Sequence, residues 1–282
     1  MNLLWPLDLG AAFARLAAEA VLGNRDLVVS TFWAYVFDTG NPLPPFGRFT
    51  DTGVIHALIP WTQGVADAAL AVVVLWGSFH IMWAHGVRSL YTVRILLPRL
   101  LLAVLLINFS LPLVQLAVDA NNALCQVVQA MGLHFNLVNT LFSRDELGGV
   151  PTVPVLVTVA LFISYLVLAL AYVIRFALLV VLTLVAPLAA LLFVLPDTHH
   201  YAREWGSLFV TTLFMQPAQL LIIGIGFEFE QANGHSPIRH AFALATVLIA
   251  FKVPGAFHAT SRAGSHLVAM AKHYAHVASH VK

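Results

Sequence analysis

Apolar residues run through this chain in blocks of about 20, divided by short stretches of proline, charge or aromatic side chains. The first block that predicts a membrane-spanning helix is 62–84, with Asp67 near its start and Trp76 and Trp83 further along. The second is 96–118. Residues 150–195 are almost wholly apolar, with Arg175 as the single charge. As one straight helix they would reach about 68 Å, more than twice the ~30 Å hydrocarbon core, so the pattern predicts that they fold back or bend. The turn falls near Arg175 or at Ala186-Pro187, where proline removes a backbone donor. After the polar piece Asp197–Glu204 comes another span over 206–227, and a last apolar piece, 240–251, ends at Lys252-Val253-Pro254.

The ends of the chain read differently. Asp8 is a plausible N-cap for a helix over 9–22, with Phe13, Leu16, Ala17, Ala20 and Val21 at helical spacing and Gly23 as the stop. At about 21 Å it is short of a crossing and is expected to lie in the interface plane. Phe32, Trp33, Tyr35 and Phe37 are a mix that settles at headgroup depth. The run Asn41-Pro42-Leu43-Pro44-Pro45-Phe46-Gly47 is a loop, since consecutive prolines forbid helix and ladder alike. Leu124, Val127, Val128, Met131 and Phe135 repeat at helical spacing and predict a docking helix over 121–142. The first 25 residues lack a basic flank, so no cleaved signal peptide is expected.

Charge sets the orientation. Arg88, Arg94 and Arg99 lie between the first two spans with no acid among them, which places that turn in the cytoplasm and leaves these side chains to meet lipid phosphates. The tail from residue 257 carries Arg262, Lys272 and Lys282 and no acid, so it too is expected inside. Two arrangements satisfy this. Either 150–195 passes twice and 240–251 is re-entrant, or 150–195 passes once and 240–251 crosses. Both give five spans with the amino terminus outside. The expected organisation is an interfacial segment over 1–58 on the periplasmic side, a helical core over 59–256 with a short periplasmic loop at 119–150, and a His-rich amphipathic cytoplasmic tail over 257–282. The fold class is all-α: a polytopic integral membrane protein of about five transmembrane helices, with room for a sixth or re-entrant segment, plus interfacial helices.

Composition agrees. Of 282 residues, 60% are hydrophobic and 10% charged, against about 25% charged in soluble domains. Fourteen Lys and Arg against thirteen Asp and Glu give a formal charge of +1, and without a polybasic face direct binding to nucleic acid is not expected. One cysteine, Cys125, excludes an internal disulfide and a multi-cysteine metal cluster.

Motifs for catalysis are missing. There is no phosphate-cradling G-x-x-x-x-G-K-[ST] and no H-E-x-x-H. Gly224-Ile225-Gly226 is followed by Phe227 rather than a carboxylate, and Ser207 has no base at a recognisable spacing. His266, His273, His276 and His280 share one helical face, which suits a metal or a proton sensor but more simply the polar flank of an amphipathic helix. Asp197, His199, His200 and Glu204 form a second metal-like cluster that reads more simply as a hydrated loop. No cofactor and no metal ligand is assigned. Charge at membrane depth is costly, and Arg175 is the clearest case. It is expected either to pair, with Asp67 as one partner, or to line a water path, or to snorkel at a hairpin turn. Thr211, Thr212, Gln216, Pro217 and Gln219 share one span, where the proline frees a carbonyl; the nearby amides can satisfy it or hydrogen-bond to another helix, and interhelical packing is the simpler reading beside a pore-lining role.

The order Arg175-Phe176-Ala177-Leu178-Leu179-Val180-Val181-Leu182, Ala186-Pro187-Leu188-Ala189, Leu195-Pro196-Asp197-Thr198, Trp205, Gln216-Pro217 and Phe251-Lys252-Val253-Pro254-Gly255 resembles the TrbL-type family of polytopic inner-membrane proteins of conjugation and type IV secretion machines. The resemblance covers about residues 150–256. It implies a non-enzymatic core or platform subunit in the bacterial inner membrane, supporting passage of substrate or pilus assembly. Implied partners are membrane lipids, further copies of the chain, separate ATPases and pilin-like subunits. The residues that carry it as candidate intramembrane positions are Arg175, Pro187, Trp205, Gln216, Pro217, Gln219, Lys252 and Pro254. The 119–150 loop is short beside the large periplasmic domain of some relatives, which removes the obvious place for substrate contact. Two other functions fit parts of the sequence: a secondary transporter or channel, from the polar groups at membrane depth, and a His-metal membrane enzyme.

Overall fold

A computed structural model describes residues 38–40, 47–83, 87–133, 152–193, 198–232 and 242–256, together with Leu16, Glu19, Ala20, Gly23 and Asn24. Leu16, Glu19 and Ala20 are helical within the stretch expected as the interfacial helix, and Gly23 and Asn24 are helical too, so the helix does not stop at Gly23; the rest of that helix, most of the proline loop and the tail from residue 257 lie outside the described residues. A 3-10 turn, Phe49–Asp51, precedes α1 (Gly53–Trp83), α2 (Val87–Asn108), α3 (Ser110–Ala130), α4 (Thr152–Leu192) and α5 (His199–Ala232). A shorter apolar helix, α6, spans Phe242–Ala256. All regular structure among the described residues is helical, as the apolar blocks require.

Among the described residues three helices are long and apolar enough to cross a bilayer: Gly53–Phe79, Val159–Leu192 and His199–Phe229. A fourth crossing is available as a bent pair, Leu97–Asn108 with Ser110–Ala130, which meet at 68°. The pattern predicted one span over 96–118 here; the chain instead turns at Phe109. Pro112 gives the cause, because it offers no N–H to the Asn108 carbonyl and its ring crowds that oxygen. At its other end α3 stops at Gly132, whose φ of 78° is the left-handed conformation glycine tolerates best.

Residues 152–192 form one continuous helix of 41 residues, so of the two arrangements left open the single pass is the one seen, with no fold-back near Arg175. A length of about 62 Å does not require a hairpin, because a helix can extend beyond the hydrocarbon core at both ends. Pro187 is accommodated inside it. α6, at about 22 Å, is shorter than the core is thick.

The chain divides into two compact units. One comprises Met1–Phe37, Leu124–Tyr172 and Phe214–Lys282. Its core gathers Cys125, Leu161, Leu168, Val247 and Ala250, with Tyr165 stacked on Phe227 at 6.3 Å. Here α5 and α6 approach closely: a Cβ added at Gly226 would lie 2.7 Å from both Cβ and Cγ2 of Thr246. The other unit comprises Asp38–Ala123 and Val173–Leu213. Its core uses small residues, Ala66, Ala103 and Ala190, beside Leu70 and Ile107, which lets helices pack closely without large side chains between them. Phe49 meets Phe176 edge-on at 5.5 Å. In α1, Trp61, Val72, Trp76, Phe79, Met82 and Trp83 are all exposed, a large apolar face that suits lipid and not water.

Candidate functional site

Among the described residues the most demanding side chain is Arg175. It sits sixteen residues from Val159 and seventeen from Leu192, midway along an apolar helix, and only 4% of its surface is exposed. Either end of that span is about 24 Å away along the axis, beyond the reach of any snorkelling side chain. A guanidinium there needs acceptors from the protein itself.

α5 supplies them. Arg175 Nε donates to the Thr212 carbonyl at 2.8 Å, and Nη2 donates to the Leu213 carbonyl at 2.9 Å. These oxygens are open for a reason written in the sequence. The Leu213 carbonyl would normally accept from the N–H of residue 217, which is proline, and the ring also distorts the preceding pair around Thr212. The interrupted turn carries the partial negative charge of unsatisfied carbonyls, so it meets the cation electrostatically as well as geometrically. The Thr39 hydroxyl lies 3.4 and 3.5 Å from Nη1 and Nη2. Asp67, the expected partner, is exposed on α1 and takes no part. The arginine meets the freed carbonyl, while the Gln219 amide takes the other course the sequence allowed and hydrogen-bonds to another helix.

The same device recurs. Gln219 Nε2 donates to the Ala250 carbonyl at 3.0 Å, the oxygen four residues before Pro254. Trp205 Nε1 donates to the Leu182 carbonyl at 3.1 Å, five residues before Pro187. Gln63 Nε2 reaches the Ile107 carbonyl, five residues before Pro112, at 3.4 Å, and the Ser110 hydroxyl shares that oxygen at 2.9 Å. At Leu213 and Ala250 the proline four residues on removes the N–H the carbonyl would accept, while at Leu182 and Ile107 the proline lies five residues on and its ring crowds the turn; in each case a polar side chain of another helix donates to the oxygen. These donors and carbonyls are thereby matched where water is absent, while Gln219 Oε1 is buried without a hydrogen-bond partner among the described residues.

A second group of contacts ties the segment before α1 to α3. The Thr50 N–H and hydroxyl both donate to Gln115 Oε1, at 3.1 and 2.8 Å, while Gln115 Nε2 donates to Asp119. The Thr39 N–H donates to Asn122 Oδ1 at 3.1 Å. Asp38, next to it, has its carboxyl pushed above the usual carboxylate range, first by burial and then by the Asp119 charge; the Thr39 N–H partly offsets this. Thr39, Thr50, Gln63, Gln115 and Asn122 were all missed in the sequence. Their only signal is polarity inside or beside an apolar block.

Other candidates fall apart spatially or outside view. Gln216 is buried one residue before Pro217, but Lys252 is exposed on α6 and Arg99 only partly covered on α2. Arg88 and Arg94 lie on α2, and the description does not extend to their side chains. His199 packs on Phe193 at 4.8 Å and His200 on Tyr201 at 3.8 Å, whereas Asp197 lies outside the described residues, as do His266, His273, His276 and His280. Among the described residues no group of three His, Cys, Asp or Glu side chains is placed to hold a metal ion. What the geometry provides among the described residues is a set of interhelical clamps, the strongest charged.

Compared with known proteins, residues 40–282 match a family profile described as TrbL/VirB6 plasmid conjugal transfer like protein. The match reaches well beyond the 150–256 stretch that carried the resemblance. No curated protein and no solved structure matches.

Proposed function

The chain belongs to the TrbL/VirB6 family of plasmid conjugal transfer-like proteins, and from that premise we propose that it serves as a non-enzymatic platform in the inner membrane. At the coarser level it is a membrane component of a conjugal transfer or type IV secretion apparatus. The single observation that carries the finer role is the family match over all but the first 39 residues. The clamps support it, because they hold long helices in fixed register and leave no polar path or reactive pair at Arg175. Further copies of the chain, separate ATPases and pilin-like subunits are its partners, and energy enters through those ATPases.

In this proposal α1, the bent α2–α3 pair, α4, α5 and α6 make five crossings, with the amino terminus in the periplasm and the His-rich tail in the cytoplasm. Arg88, Arg94 and Arg99 sit at the cytoplasmic headgroups. Arg175, Pro187, Trp205, Gln216, Pro217, Gln219 and Pro254 hold the core, and Lys252 faces outward from it. The test is deletion of the gene from a transfer-competent plasmid, with complementation in trans. Transfer frequency is expected to collapse and to return with the wild-type chain, and affinity purification through the tail is expected to bring secretion subunits with it. Normal transfer from the deletion strain overturns the proposal.

A further inference from the structure

One cavity lies in the unit that holds α1 and α2, and the clamp residues Ser110 and Trp205 form part of its wall. It has a volume of about 270 Å³ and an almost wholly apolar lining, from Leu106 and Leu113 at the α2–α3 bend, Ala186 on α4, and Gly206, Phe209 and Val210 on α5. An apolar cavity of 150 Å³ takes a benzene, so by proportion this one takes roughly ten carbons. One turn of a helix displaces roughly 400 Å³, so no helix of a partner or of a second copy fits into it. A single flexible hydrocarbon chain does.

The α5 end of the cavity is chemically different. His199 and Arg203 lie seven residues before Gly206 and Val210, two turns along the same stripes of the helix. His199 packs on Phe193, itself a lining residue, and Arg203 is exposed. A slot for about half an acyl chain therefore ends beneath a cationic group at the polar end of a span. Basic positions of this kind, between membrane helices, recognise anionic headgroups.

We propose that this cavity is a binding site for one acyl chain of an anionic phospholipid, with the headgroup phosphate at Arg203. It rests on the membrane-spanning fold and not on the secretory role, so the two fail separately. Transfer from bilayer to cavity gains little from the hydrophobic effect, since the chain is already in hydrocarbon. The cavity is open on one side, so occupancy is driven by the close fit of its walls around a single chain and by the phosphate–guanidinium contact.

The test uses the full-length chain, extracted in mild detergent from membranes containing phosphatidylglycerol and phosphatidylethanolamine, with bound lipid counted by native mass spectrometry. The wild type is expected to retain one phospholipid per chain, enriched in phosphatidylglycerol over the membrane. Gly206→Leu fills the cavity from a position where an added Cβ meets nothing within 4 Å, so it is expected to lose most of the lipid while unfolding no earlier than the wild type. Arg203→Gln is expected to keep a lipid but lose the preference for phosphatidylglycerol. Should Gly206→Leu not accumulate, Ala186→Leu narrows the same cavity from α4. Retention of lipid by the filled variant overturns the proposal, as does a wild type that holds none. Loss of a co-purifying polypeptide in place of lipid overturns it too, by making the occupant a partner's side chain.

Discussion

Replacing Arg175 with methionine isolates the central clamp. Methionine keeps most of the volume and removes every donor, leaving the Thr212 and Leu213 carbonyls buried. Thr212 can recover the N–H of Gln216 by a small closure of the helix, but Leu213 has no donor to recover because residue 217 is proline. An orphaned buried acceptor costs about 1–3 kcal/mol, and a hydrogen bond to a charged group is worth about 1.5–3 kcal/mol. Removing a buried cation returns part of that, since its desolvation is no longer needed. The net expected loss is about 2–4 kcal/mol, at about 2–4 °C per kcal/mol for a chain of this size. The assay is thermal unfolding of the full-length chain in detergent, followed through Cys125, the single cysteine and fully buried, with a fluorogenic maleimide. The decisive step is the second substitution. Pro217→Ala restores an N–H opposite the Leu213 carbonyl, so in the methionine background it is expected to return about 1–2 kcal/mol, while in the wild type it finds that oxygen already taken. Strictly additive effects of the two substitutions refute the account of why the arginine is there.

Three further outcomes follow from the same physics. Gln219→Leu is expected to cost about 1–3 kcal/mol and to be partly rescued by Pro254→Ala, read by the same thiol assay. Gly226→Ala is expected to loosen α6 by about 1–3 kcal/mol, because Thr246 is β-branched and cannot swing away, whereas Gly64→Ala, with open space at its Cβ, is expected to be neutral or stabilising. Asp38→Asn is expected to stabilise the protein at neutral pH. The carboxyl's folded pKa is raised, so ionisation disfavours the folded state above that pKa, and the advantage of asparagine fades as the pH falls through it toward the ordinary 3.8. A melting-temperature difference that grows on acidification contradicts the assignment.

The helical membrane fold was legible because apolar blocks of spanning length leave few other solutions. Arg175 was legible as the costly residue, and the Pro217 break was legible as an open carbonyl. That one answers the other was not, since no pattern within α4 says which break on another helix will face it. The bend at Phe109 was readable from Pro112 by the same rule that picks out Leu213, but the hydropathy of 96–118 obscured it. Whether 150–195 passes once or twice stayed open in the sequence, because length weighed against bilayer thickness does not say where a helix ends; the single helix over 152–192 matches the one-pass arrangement. Thr39 and Gln115 carry no periodic signal, and only the folded chain reveals them.

The clamps also shape what substitution can do over time. Each acceptor belongs to the main chain, so any side chain at Thr212, Leu213, Ala250, Leu182 or Ile107 that fits the packing leaves it intact. Half of every contact is therefore invisible to drift at the position that makes it. The constraint appears elsewhere, four or five residues downstream, on the proline that opens the oxygen. Across related chains the donor should be tied to that proline and not to the residue it touches: Arg175 with Pro217, Gln219 with Pro254, Trp205 with Pro187, Gln63 with Pro112. Where such a proline is lost, the matching donor is released to become apolar, and the two changes should travel together.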